Sequence, residues 1–189
     1  MARRMTTTLE HVYEAMRRLR PDFVVAGSQH PPDDAALDAL AARLGVVLPT
    51  IYRELARNLG PFVVEARPEV WPEPEEHDAS PHWSDFRGIE LYAIAGDAPP
   101  ELDVEEVRKR LTARTGIARV VVLRRVGDPL RWTLDPDGLA RSFDPRDGAL
   151  GAPEELADVI VTCLEDLRQR CDRVKRALEA HGESWRART

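Results

Sequence analysis

The punctuation between residues 33 and 61 constrains this chain more than any other feature. Asp33 or Asp34 can cap a helix whose buried face carries Leu37, Leu40, Ala41 and Leu44. Gly45 follows at the point where a helix C-terminus takes positive φ without a Cβ clash. Pro49 stands at the first turn of a second helix, where its missing N–H is not needed. Ile51, Tyr52, Leu55 and Leu59 line that helix, and Gly60 with Pro61 stops it. A stop and a start so close together turn the second helix back on the first. Whatever else the chain does, it must cover the apolar side of this helical hairpin.

The remaining periodic segments supply the cover. Residues 6–20 read as an amphipathic helix with Leu9, Val12, Tyr13, Met16 and Leu19 on one face, ended by Pro21. Residues 21–32 contain Gly27, Ser28, Pro31 and Pro32 and read as a loop. Residues 62–65 begin a strand, and residues 89–95 alternate as a second one. Residues 102–112 are helical, with Leu102, Val104, Val107 and Leu111 apolar. Residues 118–125 carry the β-branched run Val120, Val121 and Val122. Residues 130–134 and 139–143 form a strand pair around the turn Asp135, Pro136, Asp137 and Gly138. Pro153 opens a last helix running to about residue 180. Leu156, Ile160, Cys163, Leu167, Cys171, Val174 and Leu178 fall on one of its faces. At 1.5 Å per residue it is ~40 Å long, so its second half, with Arg168, Arg170, Arg173, Lys175 and Arg176, is expected to project or to pack on a partner. The order predicts an α+β fold: a mixed or antiparallel sheet of about four to six strands, the helical hairpin packed on it, and the long C-terminal helix closing it. A single domain over residues 1–189 is expected.

Composition narrows the function. No stretch approaches the ~20 apolar residues of a membrane helix. Arg3 and Arg4 are followed by Glu10, His11 and Glu14 rather than by the apolar run of a secretory signal. The two cysteines, Cys163 and Cys171, lie in one helix, ~12 Å apart by its rise, beyond disulfide reach. These features predict a cytosolic protein with free buried thiols. The net charge of −6 argues against general binding to nucleic-acid phosphates. Its distribution is uneven, since residues 65–106 carry a net −11 and the rest of the chain is positive.

Residues 33–62, with Leu44, Gly45, Leu48, Pro49, Tyr52, Asn58 and Gly60, resemble the opening of the SUKH superfamily. This superfamily groups fungal cell-wall-assembly regulators with bacterial toxin-immunity proteins. Its opening has a helix ending in a Leu-Gly step, then Leu-Pro, a helix carrying Tyr, and an Asn-Gly pair before the first strand. Here Leu59 separates Asn58 from Gly60. Residues 130–143 resemble the family's late strand–turn–strand, and the helix from Pro153 its closing helix. The family-like part runs over about residues 33–180, with residues 1–30 as an N-terminal helical extension and residues 182–189 as a frayed tail. The resemblance implies a protein-binding role, either immunity to a cognate toxin or regulatory scaffolding without one.

No complete catalytic or cofactor constellation is present. Glu73, Glu75, Glu76, His77, Asp78, His82 and Asp85 have metal-ligand chemistry but sit on one Pro-rich stretch rather than on separate rigid elements, and read as a solvated acidic loop. Ser80, His82 and Asp85 hold the letters of a triad without an elbow or an oxyanion hole. There is no Gly-x-Gly-x-x-Gly and no phosphate loop. No metal and no cofactor are expected. Trp132 reads as core, while Trp71 and Trp83 admit core and interface readings alike. The expected partner surface is the acidic segment itself: Glu69, Trp71, Glu73, Glu75, Glu76, Asp78, Trp83 and Asp85. The partner is expected to be another protein, a basic toxin domain among the options, with no nucleic acid and no membrane.

Overall fold

The computed structural model describes residues 8–71 and 86–180. Five helices and seven strands follow one another as α1 (Leu9–Leu19), β1 (Phe23–Gly27), α2 (Asp34–Leu44), α3 (Thr50–Leu59), β2 (Phe62–Ala66), β3 (Gly88–Leu91), α4 (Val104–Thr115), β4 (Val120–Val126), β5 (Arg131–Leu134), β6 (Ala140–Phe143), β7 (Leu150–Glu154) and α5 (Leu156–Ala180). The strands form one sheet in sequence order, every neighbour antiparallel. The helices are insertions in this meander: α2 and α3 between β1 and β2, α4 between β3 and β4.

The expected hairpin forms as its punctuation dictates. The Asp33 carboxylate accepts the Ala36 N–H at 2.8 Å, which satisfies one of the free donors at the start of α2. Gly45 takes φ 69° and its N–H reaches Ala41 O. Pro49 is the residue immediately before α3 and accepts the Arg53 N–H at 3.0 Å. The connection between the two helices is held from outside. Val47 N–H donates to Pro136 O at 2.9 Å, so the hairpin docks on the β5–β6 turn. Gly138 in that turn has φ 86°, and a Cβ there would come within 2.8 Å of Val47 O, so glycine is required both by conformation and by contact.

The sheet has seven strands, more than the four to six expected, and the two extra ones lie where glycine and proline disguised them. β1 falls inside residues 21–32, which read as a loop; Phe23, Val24 and Val25 pair with Ala66, Glu65 and Val64. β7 carries Pro153, expected to open the last helix. Proline has no N–H for a second neighbour, and β7 is an edge strand paired only with β6. The helix α5 therefore begins at Leu156.

Helices cover both faces. Ile89 pairs with Arg125 and Leu91 with Leu123, and Arg125 reaches Asp166 of α5 at 3.6 Å, so this face lies under α5. The adjacent residues Glu90 and Arg124 point the other way, toward α4. The second half of α5 does not project. It packs against α1, burying Val12, Met16 and Leu19 of one helix and Cys171 and Val174 of the other in a common core. Lys175 Nζ meets Asp22 Oδ2 at 2.6 Å beside this contact. The N-terminal helix is thus the partner that the sequence left unnamed.

Tyr52, fully buried, donates its hydroxyl to the carbonyl of Tyr92 at 2.9 Å and so ties α3 to the end of β3. Replacing Tyr52 by Phe leaves that carbonyl unpaired and should lower unfolding free energy by about 1–3 kcal/mol, measured by denaturant titration. Cys163 and Cys171 are free and buried. Burial pushes the Cys171 thiol up to about 11 and raises Cys163 as well. The unfolded thiol ionises near ~8.5, so the unfolded state loses its proton first. Stability should fall as pH rises from there toward about 11, and the alkaline slope of the unfolding midpoint should be shallower in Cys171→Ala. Alkylation should reach both cysteines only on unfolding.

Candidate functional site

Two features stand out: the root of the acidic segment and a cavity lined with arginines. The acidic segment connects β2 to β3, whose hairpin closes with the Ala66 N–H donating to Arg87 O at 3.0 Å. The chain leaves β2 through a turn in which Val70 N–H and Trp71 N–H both donate to Arg67 O. It re-enters at Phe86. Trp71 is 3% exposed and Phe86 1% exposed, so both ends of the segment are fixed by buried aromatic rings.

Phe86 is held by charge as well as by packing. The Arg125 guanidinium lies 4.5 Å from its ring centroid and 5.2 Å from that of Trp132, while Arg170 of α5 lies 5.3 Å from Phe86. Asp166 faces both cations, at 3.6 Å from Arg125 and 3.2 Å from Arg170. A guanidinium over aromatic rings and beside a carboxylate gains cation–π and ionic contacts with little exposure. This cluster binds the entry of β3 to β4, β5 and α5.

The expected partner-binding residues fall into two groups. Glu69 is exposed in the turn after β2. Trp71 belongs to the core, and so the structure takes the core side of its two readings. Glu73, Glu75, Glu76, Asp78, Trp83 and Asp85 lie outside the described residues, as do His77, Ser80 and His82. Among the described residues no group of three or more His, Cys, Asp or Glu side chains could hold a metal. Trp132 is core, as expected.

The rest of the acidic block serves the fold. Asp103 caps α4 by accepting from Glu105 N–H and Glu106 N–H at 2.8 and 3.0 Å. Glu105 pairs with Arg43 at 2.9 Å, Glu106 with Lys109 at 2.6 Å, and Glu65 with Arg87 at 2.8 Å. The Asp97 carboxylate accepts from Ser28 Oγ and from Gln29 N–H. Carboxylates at the start of α4 are also favoured by its dipole. Five further acids of the block, Glu73, Glu75, Glu76, Asp78 and Asp85, lie outside the described residues.

The basic tail of the chain contributes the second feature, which the sequence reading did not single out. A cavity of about 570 Å³ lies between α4 and the sheet. Arg110 and Arg114 enter it from α4, Arg124 from β4, Arg131 from β5 and Arg146 from the turn after β6; its carboxylates are Glu90 and Glu101. Arg124 and Arg131 are direct cross-strand partners. Glu90 serves two neighbours, accepting from Tyr92 Oη at 2.6 Å and facing Arg124 Nε at 3.4 Å. Burial, and then the charge of Glu90, hold the Tyr92 hydroxyl well above its ordinary range. Arg131 bonds only the Pro129 carbonyl, at 2.6 Å. Burial, with the charges of Arg124 and Arg114, works against its protonated form. Arg146 is held by Asp144, whose carboxyl its hydrogen bonds bring down to about 2.

The outer face of α5 is less available than its sequence implies. Arg168 faces Asp172 at 3.9 Å, Arg170 is committed to Asp166 and Phe86, and Lys175 to Asp22. No family model matches the chain, and a search of curated proteins finds no match either. Because Trp71 is core, Trp71→Ala should lower unfolding free energy by about 3–5 kcal/mol, read as a drop in the denaturant midpoint of the isolated protein.

Proposed function

We propose that this chain is a non-catalytic protein-binding domain of SUKH type, an immunity protein that binds and neutralises a cognate bacterial toxin in the cytoplasm. The observation that carries the reading is the division of the acidic block. Its charges on α4, β2 and β3 are used within the fold, and residues 72–85, with Glu73, Glu75, Glu76, Asp78 and Asp85, lie in sequence between two buried aromatic residues, Trp71 and Phe86. The residues quoted for the resemblance support it. Gly45 and Pro49 punctuate the hairpin, Tyr52 locks it to the sheet, and Gly60 with φ 65° precedes β2. The β5–β6 turn docks on the same hairpin. No helix among the described residues is long and apolar enough to cross a membrane.

The binding chemistry follows from the composition of the segment. Toxins that cut nucleic acid must hold phosphates, so their clefts are basic, and a cluster of carboxylates can take the place of substrate. Pro72, Pro74 and Pro81 restrict the unbound chain and reduce the entropy lost on ordering. Glu73, Glu75, Glu76, Asp78 and Asp85 attract a basic surface over roughly a Debye length, ~8 Å at physiological salt, and speed encounter. Trp83 supplies apolar area that the charges cannot.

The decisive measurement is co-expression with any toxin domain encoded beside this gene, scored as rescue of growth, followed by binding of the purified pair. Replacing Glu73, Glu75 and Glu76 together by Gln should slow association at low salt by about tenfold or more. It should also flatten the salt dependence and leave thermal stability within about 0.5 kcal/mol of wild type. An unchanged rate and salt slope would remove the segment from the interface. A neighbouring gene without a toxin, and no rescue, would instead favour a regulatory scaffold of the same fold.

A further inference from the structure

We propose that the cavity between α4 and the sheet binds a phosphate monoester, a small dianion carrying an apolar body. This goes beyond toxin binding, since the cavity opens on the α4 face and the acidic segment is rooted under α5.

The first argument is charge. Arg124 is matched by Glu90 and Arg146 by Asp144. Arg110, Arg114 and Arg131 have no carboxylate within ion-pair distance among the described residues, and only Glu101 shares the wall with them. The excess is two positive charges. A carboxylate ligand would cancel half of it. A phosphate monoester, at about −1.5 to −2 near neutral pH, cancels nearly all of it.

The structural explanation of these arginines is incomplete without a ligand. Arg110 and Arg114 stand in the C-terminal half of α4, where cations suit the helix dipole, so the helix accounts for them. It does not account for Arg131. That residue is half-buried on β5, directly opposite Arg124. Like charges facing each other across a strand pair are destabilising. Its one hydrogen bond among the described residues goes to the neighbouring Pro129 carbonyl, and the Glu90 carboxylate that favours its charge is already paired with Arg124. An anion between Arg114, Arg124 and Arg131 turns the repulsion into three charge-assisted contacts, and guanidinium forks match phosphate oxygens in pairs.

Shape agrees with charge. A volume of about 570 Å³ lies within the roughly 300–1,000 Å³ of small-molecule sites. Val107 and Leu111 give an apolar wall, and Tyr92 adds a ring edge. The carbonyl end of α4 opposes an anion with the equivalent of roughly half a charge, less than the excess on the arginines.

The test uses the full chain with phenyl phosphate, benzoate and benzyl alcohol, by calorimetry and thermal shift at slightly alkaline pH. Phenyl phosphate should bind with one-to-one stoichiometry and raise the melting temperature. Benzoate should bind at least about tenfold more weakly, as a monoanion with fewer charge-assisted bonds, and benzyl alcohol should not bind. Arg131→Gln should lower phenyl phosphate affinity by about tenfold or more, while the unliganded variant melts no lower than wild type, because the clash with Arg124 is gone. Arg114→Gln, on the exposed face of a helix, should weaken binding with the fold intact, so the result stands even if the sheet variant folds poorly. The proposal fails if phenyl phosphate shows no saturable binding, or if benzoate matches it. It fails equally if both variants bind like wild type, or if a single-stranded RNA engages these arginines and phenyl phosphate does not.

Discussion

Two consecutive arginines in β4 point to opposite faces of the sheet, and the organisation of the molecule can be followed from that pleat. Arg125 goes to the α5 side, where it lies against Phe86 and Trp132 and meets Asp166. Arg124 goes to the α4 side, against Glu90 and across from Arg131. On the first face the cation lies over two aromatic rings beside a carboxylate. On the second it stands in an open cavity among others of its sign. The same residue type, one position apart, lies over aromatic rings on one face and pairs with a carboxylate at the edge of a cavity on the other. The alternation of a strand is what makes the difference.

The helices and the middle of the sheet were legible because their signals are local. Gly45 and Pro49 state where a helix ends and another begins, and the β-branched run at Val120, Val121 and Val122 states a strand. The edge strands were hidden by the very residues that make edges. Proline at 153 and glycine at 151 look like breakers, yet an outermost strand needs only one set of hydrogen bonds, so β7 tolerates both. The long α5 was expected, with its start three residues early, but the cover on its second half was not. The apolar stripe of α1 and that of α5 are far apart in sequence, and nothing local says that they meet. Trp71 illustrates the same limit. Its acidic surroundings in sequence suggested a surface, whereas two bonds to Arg67 O in the turn direct it into the core.

The arginine cavity was the least legible feature. Its five guanidinium groups come from α4, β4, β5 and the turn after β6, so no window of the sequence contains them together. The available hint was that the C-terminal part of the chain is basic. Most of that charge has ordinary uses: Arg125 stacks, Arg141 bonds Asp135, Arg170 pairs with Asp166, Lys175 with Asp22. Only register separates the arginines that are spent in this way from those that converge. The pairing of Arg124 with Arg131 is decided by the β4–β5 bulge between Val121 and Leu123. Slipping this register by one residue would turn Arg131 to the other face and bring Trp132 into its place.

The sheet separates Phe86 from the arginine cavity. The acidic segment returns through Phe86, under α5, and Phe86 is clamped by cations that are themselves clamped by Asp166. The cavity uses the reverse side of β3, β4 and β5. Between them lies a close-packed layer, with Ile89, Leu91, Val122 and Leu123 fully buried. Coupling through such a layer requires an element with two discrete arrangements, and none is visible in a sheet whose strands all pair with their sequence neighbours. A ligand on the arginines would stabilise the folded chain by mass action.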